Sequence, residues 1–408
     1  MGKQNLIVGL DIGTTKIAVI ISELEESGPP RIVGMGTSRS EGLKRGVVIN
    51  LEKTVESITK ALEDAEMMAG VKVNSVFAGI AGDHIRSINS RGVIALSGSG
   101  SDISSKDVER VINAARAVAL PMDREIIHVL PQEYTVDDQS GIKDPIGMSG
   151  VRLEAEVHIV TGAVTSAQNI YRSVKKAGLE VCDLVLQPLA SSYALLSPEE
   201  EELGVALIDL GGGTTDIAIF HDGSIRHTAV IGLGGNNVTN DIAIGLRTPV
   251  EQAEEIKKSY GCALSSLVDS DEMIKVPGVG GREPKEISRG VLAAIIEPRA
   301  EEIFSLVLRE IKKTNYSDLL VAGVVLTGGG SLMEGMIELA EQIFDMPVKK
   351  GIPQGFSGLV DLVSTPIHST GVGLILYGLE QLKEGKSKGG SKEKGWFRRM
   401  KNLFGQYF

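Results

Sequence analysis

Apolar residues fall in two rhythms along this 408-residue chain, and the changes of rhythm mark its elements. Leu6-Ile7-Val8-Gly9-Leu10 and Ile17-Ala18-Val19-Ile20 are nearly continuous apolar runs, as buried strands require. Further strands are predicted over 31–40, 43–48 and 73–80. Between them Leu51, Val55, Ile58, Ala61, Leu62 and Ala65 keep helical spacing, which predicts a helix over 51–68. Next come short strands over 85–88 and 92–96, then a Ser/Gly joint at 97–101 read as flexible. A helix begins at the capping box Ser104-Ser105-Lys106-Asp107 and runs to about 118. A strand over 126–135 follows, with Pro131 marking an edge or a bulge. A helix over 166–177 and a strand ending at 185 lead to a second apolar pair of runs at 205–220. Beyond it the pattern predicts a helix capped by Asn237, a hairpin tip over 276–286 and a long helix over 288–311. Strands alternating with helices in this way indicate an α/β protein.

The two apolar pairs enclose the most informative residues. Val205-Ala206-Leu207-Ile208-Asp209-Leu210 and Ile217-Ala218-Ile219-Phe220 flank Gly211-Gly212-Gly213-Thr214-Thr215-Asp216, which reads as a strand hairpin. Near the N-terminus the same order occurs: apolar strand, Asp11, Ile12, Gly13-Thr14-Thr15-Lys16, apolar strand. One such turn is equally well an ordinary hairpin. Two copies about two hundred residues apart suit two related domains, each offering a turn to a shared cleft. Glycine brings the backbone close to a ligand, and bare N–H groups with threonine hydroxyls make an anion site. Asp11, Asp209 and Asp216 cannot touch a phosphate directly; a hydrated Mg²⁺ between them would explain their charge. A third turn, Thr327-Gly328-Gly329-Gly330-Ser331, reads as strand, glycine turn and helix.

Composition narrows the class. Charged residues at 23% and hydrophobic residues at 42% are ordinary for a globular protein, whereas 49 glycines are many. Cys182 and Cys262 stand alone and no histidine pair has ligand spacing, which points to a reducing compartment without a zinc site. From Lys383 onward there are eight Lys/Arg against two Glu, leaving −17 of charge on the body of a chain whose net charge is −11. So acidic a body argues against nucleic acid as a partner. The stretch 383–394 reads as a flexible linker. In 395–408, Trp396, Phe397, Met400, Leu403, Phe404, Tyr407 and Phe408 keep helical spacing, with Arg398, Arg399 and Lys401 beside them. That is the pattern of an interfacial helix on anionic lipid. Docking on the protein's own body or on a partner groove is the alternative.

At these residues the sequence resembles the actin-like ATPase superfamily, with connecting helices at 187–194 and 370–377 in the right order. The resemblance implies a two-domain fold with an interdomain nucleotide cleft. ATP and Mg²⁺ would be held by Gly13, Thr14, Thr15 and Lys16, by Gly211, Gly212, Gly213, Thr214 and Thr215, and by Gly328, Gly329, Gly330 and Ser331. It adds Gly234, Gly235 and Asn236, with Glu254 and Lys257 toward the ribose and base. Spacing alone leaves that last pair equally well as a solvated helix face. Gln187, with Asp209, matches the position that places the attacking water; glutamine is a poor base, so hydrolysis would be slow.

The segment 84–156 departs from actin and is similar to the insert of the FtsA family of bacterial division proteins, on His128-Val129-Leu130-Pro131-Gln132 and Pro145-Ile146-Gly147-Met148-Ser149-Gly150. The implied division is 1–83 with 157–198 as the first domain, 84–156 as an inserted SHS2-like α+β module, and 199–382 as the second domain, including a covering subdomain over about 237–312. Membership would imply self-assembly into filaments at the cytoplasmic face of the membrane. It would also imply later division proteins on the insert, and binding of the C-terminal peptide of FtsZ at Arg289 and Arg299, which taken one by one read equally as ordinary surface arginines. Other readings within the superfamily are a small-molecule kinase, a chaperone-type ATPase, or a scaffold of another membrane machine.

Overall fold

The computed structural model describes residues 6–25, 28–96, 102–269, 271–278, 280 and 283–387. The proposed joint at 97–101, residues 388–394 of the proposed linker and the terminal helix at 395–408 lie outside the described residues; residues 383–387, also read as linker, instead continue helix Ser369–Ser387.

In the first domain six strands are ordered Glu180–Leu186, Ser75–Ile80, Leu6–Ile12, Lys16–Glu23, Arg31–Arg39 and Ser357–Gly358; the last of these comes from the stretch 199–382 expected in the second domain, and Val363, Val372, Leu374 and Ile375 after it are buried in the first domain's core. The two apolar runs take the centre, where almost every side chain is buried. Helix Leu51–Ala69 covers one face. It is capped by the Asn50 side chain, which accepts from Lys53 N at 3.1 Å, and ends at Gly70 with φ 68°. The helix lies directly on strand Arg31–Arg39 because a Cβ on Gly36 would stand 2.0 Å from the Ala61 carbonyl oxygen. On the opposite face, helices Gln187–Leu195 and Ser369–Ser387 cross backbone to backbone. A Cβ on Gly373 would come within 1.9 Å of the Ala190 carbonyl oxygen.

The second domain repeats this plan. Its strands are ordered Ser224–Ile231, Thr215–His221, Val205–Leu210, Val324–Thr327 and Val348–Lys350. Val205–Leu210 pairs antiparallel with its hairpin partner and parallel with Val324–Thr327, just as Leu6–Ile12 pairs antiparallel with its own partner and parallel with Ser75–Ile80. Helices Gly235–Leu246, Val250–Tyr260 and Arg289–Lys312, with the hairpin Met273–Val276/Lys285–Ser288, form a smaller unit around its own apolar core.

Residues 86–163 carry a separate antiparallel sheet ordered Arg86–Ala95, Arg152–Ala163, Arg124–Val136 and Gln139–Ile142, with helix Ser105–Arg116 across one face. The two short strands expected at 85–88 and 92–96 are one, because the 12-residue strand Arg152–Ala163 pairs through the polar Asn89-Ser90-Arg91 between them. Pro131 does sit at a bulge: Val157 faces Pro131 while Glu156 faces Glu133, and Gln132 is left out of the ladder. The freed Gln132 amide donates to the Ile225 carbonyl at 2.8 Å. Asn89 and Ser87 donate likewise to the carbonyls of Arg226 (3.3 Å) and Thr228 (2.9 Å). The insert is thus docked on strand Ser224–Ile231 of the second domain by side chains that cap its main-chain oxygens.

Candidate functional site

Both glycine turns are tight hairpin ends: Gly13 N donates to Lys16 O at 2.9 Å and Gly211 N to Thr214 O at 3.0 Å. They face each other across the domain boundary. A Cβ on Gly212 would lie 2.3 Å from Thr15 Cγ2, and one on Gly213 2.7 Å from Thr14 Cγ2. Glycine is required there because the two tips touch.

Behind the turns lie the carboxylates. Asp11 Oδ1 accepts from Gln187 Nε2 at 3.2 Å, Asp209 Oδ2 from Thr370 Oγ1 at 3.4 Å and Asp216 Oδ2 from Thr214 Oγ1 at 2.9 Å. The other Asp216 oxygen is buried and has no hydrogen-bond partner. Burial pushes Asp209 and Asp216 up to about 7, helped by the charge of Asp11 on Asp209 and of Asp209 on Asp216. Burial likewise raises Asp11 and lowers Lys16. The Lys16 ammonium stands 3.7 Å from Asp11 Oδ2 and donates to the Ile367 carbonyl at 2.7 Å. It also donates to His368 Nδ1 at 3.2 Å, so that nitrogen carries no proton. Burial, then the charge of Lys16, holds His368 at about 3. Among the described residues, no group of three or more His, Cys, Asp or Glu is arranged to hold a metal ion directly.

The third turn passes Asp209 closely enough to need glycine: Gly328 has φ 83°, and a Cβ there would stand 2.3 Å from Asp209 Oδ1. Gly329 faces open space, while the Ser331 hydroxyl bonds to Gly328 O within the turn. The turn opens a 3-10 helix, Gly329–Leu332, and the α-helix waits until Met336–Phe344, after a second positive-φ glycine at 335. The predicted direct passage from glycine turn to α-helix is therefore corrected. So is the capping role of Asn237. The helix starts at Gly235, and the Asn237 side chain, already inside it, accepts from Gly234 N at 3.1 Å. The helix starts early because Gly235 N and Asn236 N find partners in the carbonyls of Gly211 (2.9 Å) and Gly212 (2.8 Å).

Glu254 lines the cleft beside the two turns, and Lys257 is held against it from behind. The Lys257 ammonium bonds to Glu254 Oε2 (2.6 Å), Thr239 Oγ1 (2.8 Å) and Gly235 O (3.1 Å). Thr239 was not singled out by sequence, nor were Lys44, Arg45 and Lys60, which line the cleft of about 1100 Å³ beside the two turns. The glycines flanking Leu43-Lys44-Arg45 were the signal available. Arg289 and Arg299 lie elsewhere and are engaged internally. Arg289 bonds to Glu272 (2.9 Å), Glu334 and the Tyr260 carbonyl, and Arg299 to Asp241 (2.6 Å) and Glu302.

Comparison with known proteins decides the family. The family model described as "Cell division protein FtsA" matches residues 206–373, and that of the "SHS2 domain inserted in FTSA" matches 82–161. The cell division protein FtsA of Pseudomonas aeruginosa is 54% identical over 382 residues, covering 94% of this chain and 91% of that protein. The chain belongs to the FtsA family. A PilM–PilN type IV pilus biogenesis complex matches with TM-score 0.67 at 16% identity, over 91% of this chain and 98% of that one. MreB5 of Spiroplasma citri bound to AMPPNP matches with TM-score 0.55 at 16% identity, over 95% of this chain and all of that one. This FtsA chain therefore has the actin-like fold with an inserted SHS2 domain, and among its described residues no helix is long and apolar enough to cross a membrane.

Proposed function

We propose that this chain binds ATP with Mg²⁺ between its two glycine turns, polymerises, and tethers FtsZ filaments to the membrane during division. The observation that carries the reading is the pair of duplicated turns, tip to tip, with the buried carboxylates of Asp11 and Asp216 and the half-buried one of Asp209 behind them. Gly13–Lys16, Gly211–Thr215 and the third turn would hold the phosphates, and Gly234–Asn236 with Glu254 and Lys257 the nucleoside. A hard oxygen donor set with one unpartnered Asp216 oxygen fits a divalent cation reached through water rather than ligated outright. Bound there, the ion would neutralise phosphate charge. Gln187, already hydrogen-bonded to Asp11, orients rather than deprotonates, so the nucleotide acts chiefly as a structural element and turnover is slow.

The basic amphipathic pattern at 395–408 supports peripheral binding to anionic lipid at the cytoplasmic face. The covering unit is the proposed seat of the FtsZ C-terminal peptide. Arg299 would have to exchange Asp241 or Glu302 for the peptide's carboxylates, and Arg289 its own acidic partners. The insert is the proposed seat of later division proteins. Replacing Asp209 with alanine should weaken Mg-ATP binding by about tenfold or more, the scale of one lost charged hydrogen bond. Calorimetric titration checks it, and an unchanged affinity removes Asp209 from the site.

A further inference from the structure

Strands Leu43–Lys44 and Val47–Val48 pair through a two-residue turn whose central residues, Arg45 and Gly46, both have positive φ, 50° and 75°. Such turns take Asn, Asp or Gly at the first central position, so an arginine there is conformationally unfavourable. The loop is nonetheless fixed on every side. Gly46 N donates to Thr14 Oγ1 at 3.0 Å, which ties it to the first glycine turn. A Cβ on Gly46 would stand 2.6 Å from the Ala81 carbonyl oxygen, and one on Gly42 2.1 Å from Thr54 Oγ1. Held in this way, Arg45 crosses to the second domain. Its Cδ and one guanidinium nitrogen lie 3.7 and 3.8 Å from where a Cβ of Gly232 would be. Gly232 follows strand Ser224–Ile231 and leads into the loop whose Gly235 and Asn236 amides bind the second turn.

The charge around Arg45 points the same way. Of the cations lining the cleft, Lys16, Arg39 and Lys258 are ion-paired, with Asp11, Glu251 and Glu254. Among the described residues Lys44, Arg45 and Lys60 are in no ion pair, and all three belong to the first domain. Uncompensated positive charge in a chain of net charge −11 marks where a polyanion belongs.

We propose that Arg45 reads the terminal phosphate of a nucleoside triphosphate and thereby links nucleotide state to the gap between the domains. The inference rests on the nucleotide reading above. A planar guanidinium meets two phosphate oxygens at once, and the terminal phosphate is the group a diphosphate lacks. Because Arg45 also packs against Gly232, drawing it onto the phosphate alters the contact that spaces the two domains.

The test measures Mg-ATP and Mg-ADP affinities of the full-length protein and of R45N and R45K by calorimetric titration. Asparagine suits the turn better than arginine does, so R45N keeps the fold while removing the guanidinium. Expected for R45N is a loss of about tenfold or more in ATP affinity, with ADP changed less than about twofold, so that the ATP/ADP preference falls. R45K should recover part of the loss, as a point charge without the fork. Equal losses for both nucleotides, or none, overturn the role of Arg45 and leave the nucleotide reading standing. A wild-type protein that binds neither nucleotide overturns both.

Discussion

Asp209 and Asp216 hold their protons more tightly in the folded chain than in the unfolded one, since burial lifts both to about 7 from an ordinary value of 3.8. A raised carboxyl costs stability as soon as its counterpart in the unfolded chain ionises. The penalty is absent below about pH 4, grows as the pH rises toward 7 and is constant above that. The neutral isostere Asp209→Asn should therefore stabilise the nucleotide-free protein at pH 8 and leave it nearly unchanged at pH 4. Thermal melts of the two proteins across that range check it, and a constant offset would contradict the assignment. The same substitution should stabilise less when Mg-ATP is present, because a bound cation favours the ionised form. The aspartates were legible as a group because they sit at fixed places beside glycine turns. Arg45 and Thr239 were not, because their place in the cleft depends on chain segments far from them in sequence.

Elements were legible where local signals and burial agreed. Helix Leu51–Ala69 has its apolar stripe, its Asn50 cap and its Gly70 stop within a single stretch of sequence. The glycine hairpins were equally plain. Misreadings arose where a distant partner decided the outcome, as when strand Arg152–Ala163 bridged two apolar runs, or when carbonyls of the second turn drew a helix start back to Gly235. The crossing of the two connecting helices makes an element-scale prediction. With a Cβ on Gly373 only 1.9 Å from the Ala190 carbonyl oxygen, Gly373→Ala must push the helices apart. It should cost about 1–3 kcal/mol or more, as overpacking does, and urea denaturation should register the loss. Stability within about 0.5 kcal/mol of wild type, the usual range for surface changes, would show that the helices do not meet as described.

For the whole molecule, duplication was the clearest sequence signal, and the structure repeats it in two sheets of matching local plan. The proposed attachment to the membrane is tested by removing residues 395–408. The shortened protein should stay in the supernatant when spun with vesicles of anionic lipid, whereas the full chain pellets. Pelleting of both would place attachment elsewhere.

The way the insert meets strand Ser224–Ile231 has one more consequence. That strand borders its sheet, and a bare border of main-chain oxygens invites a neighbouring chain to add a strand of its own. Gln132, Asn89 and Ser87 already occupy three of those oxygens. Copies that associate must then meet through side-chain surfaces at this flank, which leaves their contacts reversible and keeps the chain from stacking into a cross-β aggregate there.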